Sequence, residues 1–121
     1  MSGYWSRSLK PLPSYIPLFP DAYWAGTRQL SLEEQGAHLN LMMHAWLTPT
    51  CDLPDDDHRL ARILGITAGR WRKLKPAVMD LWHLNNGRWI QNRLTRERAA
   101  IEARRLQAAA AANMRWNKAS R

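Results

Sequence analysis

The 121-residue chain has one cysteine, Cys51. No disulfide can form within it, and a reducing cytoplasmic setting is expected. No apolar run is long enough to span a bilayer. The start also lacks the charged-then-apolar order of a signal peptide. A glycine loop that could cradle phosphates is missing, as are helicase and nuclease motifs. His38 and His44 stand six apart and do not share a helical face. His44, Cys51 and His58 match no standard zinc spacing. No catalytic residue, cofactor or metal is assigned, and an enzyme is not expected. Acidic residues are few, ten against eighteen Lys and Arg. The length allows one domain, or one domain with a tail, large enough to bury a core without cross-links.

The positive charge is unevenly placed. Residues 1–57 carry three basic and seven acidic side chains, a net −4, whereas residues 58–121 carry fifteen basic and three acidic, a net +12. Such a reversal points to a face that meets a polyanion. A membrane surface is the weaker fit, because no broad apolar stripe opposes the cations.

The reversal begins at the most informative stretch, Asp57 to Leu74. Leu60, Ala61 and Leu64 give a short helix an apolar face. Gly65 then supplies a left-handed turn residue, Ile66 plugs the corner, and Thr67 caps a second helix. In that helix Trp71 and Leu74 face inward, leaving Arg70, Arg72 and Lys73 outside. This is the helix-turn-helix pattern, whose second helix commonly enters the DNA major groove. An ordinary helical hairpin with a solvated basic face is the alternative.

Upstream, residues 1–13 have no period and read as a flexible leader. Tyr15-Ile16-Pro17-Leu18-Phe19 reads as an edge strand or an extended segment on the core. Asp21 to Trp24 reads as one helical turn, its aromatics assigned to the core. Ser31 and Glu34 form a capping box. The helix they open puts Leu32, Gly36, Leu39, Met43, Trp46 and Leu47 near one face, expected to be the core face, and Thr48-Pro49 ends it. Pro54 to Asp57 opens the next helix, with the aspartates in its first turn where the dipole favours them. Pro76 falls inside the second helix of the pair. A kinked continuation is expected, since Trp71, Leu74, Val78 and Leu81 keep their spacing across it.

Asn86-Gly87 is a two-residue hairpin signal and pairs Leu84 with Trp89 on the side expected to face the core. A hairpin directly after a helix-turn-helix is a wing. The expected fold is mainly α, a winged helix-turn-helix with a three-helix core, a β-hairpin wing and a C-terminal helical extension. Its parts are a leader at 1–13, the winged-helix domain at 14–92, and a C-terminal helix with a frayed tail at 93–121. The last helix is rich in Ala, Arg, Glu and Gln. Leu94, Ile101 and Ala108 recur every seven residues, too sparse for a coiled coil.

Tyr15 to Phe19, Leu30 to Ala37, Met43-His44-Ala45-Trp46, Leu53 to Asp57, Leu60 to Ile63 and Asn86-Gly87-Arg88-Trp89 together resemble the YdaU-like domain of unknown function found in phages and prophages. The match covers about residues 14 to 98, and Arg115-Trp116 is similar to the Arg-Trp ending that often follows that domain. The resemblance implies a winged-helix DNA-binding module associated with phage replication initiation, working in the cytoplasm of a bacterial host. It carries over no catalytic residue.

Double-stranded DNA is therefore the expected partner. Thr67, Arg70, Arg72, Lys73 and Lys75 on the second helix and Arg88 on the wing are the expected contacts, and Arg70 and Lys73 should face the groove together. Arg59 and Arg62 are placed on flanking phosphates. Arg93, Arg96, Arg104 and Arg105 join them if the last helix lies along the backbone. A transcriptional regulator of phage genes is one alternative, and a protein-interaction module docking on replication machinery another. A homodimer is an open option that sets half-sites about one helical turn apart.

Overall fold

The computed structural model describes residues 15–119; the leader expected at 1–13 lies outside them. The fold is mainly helical, with one small antiparallel sheet. After an extended segment, α1 (Pro20–Thr27) leads into α2 (Leu32–Leu47), then a two-residue strand β1 (Leu53–Pro54). The pair α3 (Asp57–Leu64) and α4 (Ala68–Met79) follows, then the hairpin β2 (His83–Asn85) and β3 (Arg88–Ile90), and finally α5 (Asn92–Ala119). In the sheet β3 is central: Leu53 pairs with Trp89 from one side and Leu84 with Trp89 from the other.

Local chemistry explains the element ends. Ser31 accepts from the Glu34 amide while Glu34 accepts from the Ser31 amide, the reciprocal capping box expected for α2. Asp56 caps α3 and Thr67 caps α4, each accepting the amide three residues on. Gly65 ends α3 at φ 72, where any side chain would strain the backbone. Asn86 and Gly87 both take positive φ, the requirement of the type I′ turn. α4 runs unbroken through Pro76, which is exposed. The Arg72 carbonyl left without its amide partner thus lies on the solvent side.

The core gathers α2, α3, α4, the sheet and the start of α5. Trp46, Trp71, Leu41, Leu53, Leu60, Leu94 and Val78 are among its fully buried side chains. Trp71 shows no exposed surface, and its indole N–H donates to Asp57 Oδ1 at 3.0 Å. The same carboxylate takes Lys75 Nζ at 2.9 Å. Asp57 therefore fastens the start of α3 to the middle of α4, beyond the dipole role expected of it. Lys75 and Trp71, as donors to the anion, hold its pKa below the usual carboxylate value.

The structure corrects four expectations. On α2 the core face is Ala37, His38, Leu41, Met42, Ala45 and Trp46. Leu32, Leu39, Met43 and Leu47 are exposed, Leu32 at 87%. With Tyr15, Ile16 and Leu18 most of these line a shallow apolar groove of about 290 Å³. Pro54 belongs to β1, so α3 starts later than expected. On the hairpin Trp89 is half-buried against the core while Leu84 is exposed, because only the central strand has a neighbour on both sides. α1 is also two turns long, and its Trp24 is exposed.

His38 is buried among apolar groups and stacks near Tyr23. Its Nδ1 accepts the Trp82 indole N–H at 3.2 Å, so the ring must be neutral with its proton on Nε2. Burial lowers its pKa from 6.5 to about 4. The unfolded chain takes up a proton near pH 6.5 that the folded chain resists until about pH 4. This stabilisation is complete above pH 6.5 and drains away as the pH falls through that window. Urea unfolding should show a loss of about 2–3 kcal/mol between pH 7.5 and 4.5, and His38→Asn should remove most of the slope. Separately, Asp57→Ala should lower stability by about 1–2 kcal/mol at unchanged m-value, since it strands a buried indole donor. Asp57→Asn, which keeps an acceptor for Trp71, should lose less.

Candidate nucleic-acid interface

α4 turns one edge to the core through Trp71, Leu74 and Val78. The helical repeat then places Gly69, Lys73 and Pro76 on the opposite side, with Arg70 on one shoulder and Arg72 on the other. Gly69, Arg70, Arg72, Lys73 and Pro76 are all exposed. The two shoulders meet different neighbours.

Arg70 reaches back to the first turn of α2. Its Nε donates to Glu33 Oε2 at 2.7 Å and its Nη2 donates to Glu33 Oε1, a two-pronged pair. It therefore leans away from Lys73, instead of facing outward beside it. On the other shoulder Arg72, Lys75 and Asp57 line an open hollow with Pro76 and Trp89, between α4 and the hairpin. Arg72 adds its field to that of Lys75 in holding Asp57 charged.

Arg88 stands on the hairpin but is tied down. Its Nε and Nη2 both donate to Asp52 Oδ1, at 3.1 and 2.7 Å. Burial would raise the Asp52 pKa, yet the bonds from Arg88 and Thr50 outweigh it and the net shift is downward. Thr67 spends its hydroxyl oxygen on the α4 cap, accepting the Arg70 amide. Its hydroxyl hydrogen remains a donor on an exposed residue.

Of the eight expected contacts, α4 and its cap thus carry Thr67, Arg70, Arg72, Lys73 and Lys75. Arg88 lies on the hairpin, and Arg59 and Arg62 are exposed on α3. Among the described residues the side chains of Arg59, Arg62 and Lys73 make no hydrogen bond or ion pair. Three cations are neutralised within the fold: Arg70 by Glu33, Lys75 by Asp57 and Arg88 by Asp52. The sequence reading missed these anions. Arg70 and Arg88 lie 37 and 36 residues from their partners, and no local pattern announces such pairs.

Comparison with known proteins supports one assignment. A model of a family described as a protein of unknown function (DUF1376) matches residues 14–99. The uncharacterized protein YdaU of Escherichia coli (strain K12) is 33% identical over 87 residues. That stretch is 72% of this chain and 30% of YdaU, so the chain spans under a third of its relative's length. No solved structure matches the chain. With the family model covering well over half of its residues, the chain belongs to the DUF1376 family, the family of YdaU.

Proposed function

We propose that this chain is a winged helix-turn-helix module that binds double-stranded DNA, with α4 in the major groove and the β2–β3 hairpin as its wing. The observation that carries the reading is the outward face of α4. Arg72 and Lys73 project from a helix whose other side is locked into the core, directly beside a hairpin that bears Arg88. The element order α2, β1, α3, α4, β2, β3 supports the same reading, as does the +12 balance of residues 58–121. Arg70 and Lys75 sit where short rotations move them from carboxylate to phosphate. Lys73 and Arg72 suit the groove itself, while Arg59 and Arg62 suit flanking phosphates.

The process proposed is replication initiation of a phage or prophage in a bacterial cytoplasm, on the strength of the resemblance. Control of phage transcription is the alternative, since both use the same groove-reading helix. No catalytic step is part of the proposal.

The test is anisotropy of a labelled random-sequence duplex across a salt series. Wild type should bind with a steep dependence of log K on log salt, near 0.9 for each phosphate contacted. Arg70→Ala/Arg72→Ala/Lys73→Ala should flatten the slope by about two to three units while circular dichroism stays unchanged. An unchanged slope would remove α4 from the interface. Glu33→Gln, which releases Arg70 and deletes a repelling charge, should tighten binding a few-fold at low salt. Weaker binding by that variant would mean that Glu33 orients Arg70 for contact.

A further inference from the structure

α5 carries a second cationic surface that the α4 reading leaves unused. The helix is 28 residues long. Leu94 and Ile101 are buried, but from Leu106 to Ala119 every residue is exposed. Its cations do not share one fate. Arg98 donates to the Pro49 carbonyl and lies over the Trp46 ring. Arg93 lies over Phe19. Arg105 is half-buried and pairs with Glu102 within the helix. Arg96, Arg104, Arg115 and Lys118 are exposed, and their side chains have no hydrogen-bond or ion-pair partner among the described residues.

At 3.6 residues per turn these four fall within about 100° of arc, spread over roughly 33 Å of helix axis. Between them on that face stand Ala100, Gln107, Ala111 and Met114, all uncharged, and Glu97, at the edge of the arc beside Arg96, is its one acidic residue. Beyond Glu102 no acidic residue follows in the chain. Helix stability does not account for the whole stripe. Cations near the C-terminus gain from the helix dipole, and Arg115 and Lys118 qualify. Arg104 lies mid-helix, out of reach of that effect. α5 has no acidic residue in its first turn, so Arg96, just past it, stands at the end where positive charge is disfavoured.

We infer that the Arg96, Arg104, Arg115 and Lys118 stripe is a second nucleic-acid contact, one that binds the phosphate backbone without reading bases. The inference rests on the proposed DNA-binding reading and extends its footprint from the compact domain to the projecting helix. Four unpaired cations at intervals over about one turn of duplex suit a run of phosphates, whose counterions they displace. Alanines and a glutamine between them offer little for base recognition.

The test compares the full chain as wild type, the α4 triple variant, and Arg96→Gln/Arg104→Gln/Arg115→Gln/Lys118→Gln. Glutamine keeps the stem and the helix propensity while deleting the charge. The probe is a random-sequence duplex of about three helical turns in a salt series, with helix content monitored by circular dichroism. The glutamine variant is expected to lose about three to four units of salt slope. That is a loss of about a thousandfold or more in affinity at 0.1 M salt. It should also keep whatever sequence preference the wild type shows. If its slope equals that of wild type while the α4 variant is flattened, the stripe is a solvated surface and only the stripe inference falls. If the glutamine variant is flattened and the α4 variant is not, the stripe stands and the α4 assignment falls. Absence of duplex binding by wild type at low salt overturns both.

Discussion

The outer face of α4 depends on how Trp71 is held. A buried indole contributes a large apolar area, but its N–H must find an acceptor or the burial is partly undone. Asp57 provides that acceptor from the first turn of α3. One side chain thus fixes both the depth at which α4 sits and its rotation about its own axis. Once residue 71 points inward, the helical repeat leaves Gly69, Lys73 and Pro76 no choice but to point outward. Gly65 makes the arrangement reachable, because at φ 72 the chain reverses in the three residues available between the helices. Lys75 completes the joint by neutralising the carboxylate that Trp71 would otherwise share with water.

The acidic residues of the first half look, from composition alone, like a separate negative region. Folded, three of them stand against cations of the second half: Glu33 at Arg70, Asp57 at Lys75 and Asp52 at Arg88. The Arg70–Glu33 and Lys75–Asp57 pairs are open to solvent on both sides and contribute little to stability, about 1 kcal/mol or less each, while in the third pair Asp52 is mostly buried. Their larger effect is on shape and local charge. They hold long side chains in one orientation and lower the field at the α4 shoulders, so the free cations Lys73, Arg59 and Arg62 stand out. Asp52 ties the hairpin to the loop after α2, which keeps the hairpin beside α4 and the hollow between them open.

What could be read from the sequence follows from how far each signal reaches along the chain. Caps and turns are local chemistry, and Ser31, Thr67, Gly65 and Asn86-Gly87 all do what their residue types dictate. The α3–α4 apolar spacing was equally legible, because Leu60, Ala61, Trp71 and Leu74 have no competing face. α2 misled for a physical reason. Its larger aliphatic residues, Leu32, Leu39, Met43 and Leu47, lie on the outside, and its core face contains two alanines and a histidine. Alanine marks close approach of another helix, which a count of large side chains cannot see. His38 reads as polar until Trp82 is brought to it from 44 residues away. β1 was hidden for a similar reason. A two-residue strand with a proline exists only because β3 has a free edge to pair with. The three ion pairs across the fold carry no sequence signal of any kind.

α4 and α5 present cations under opposite constraints. On α4 every outward position is tied to an inward one, so Arg72 and Lys73 stand where they do partly because Trp71 and Leu74 must be buried. The outer half of α5 has no such tie. Its residues from Leu106 onward bury nothing, and its helix is sustained by propagation from the packed turns at Leu94 and Ile101 through a run of alanines, the best helix formers. A helix held by propensity accepts almost any side chain on any face at little cost to the fold. Mixed charges at i, i+4 spacing are the usual way to stabilise such a helix in water. Here one face carries four cations against a single acid, Glu97 at its edge, and from Arg104 onward only positive and neutral residues, an arrangement that repels itself until anions gather along it. The stripe is therefore better explained by what it meets than by what it holds together.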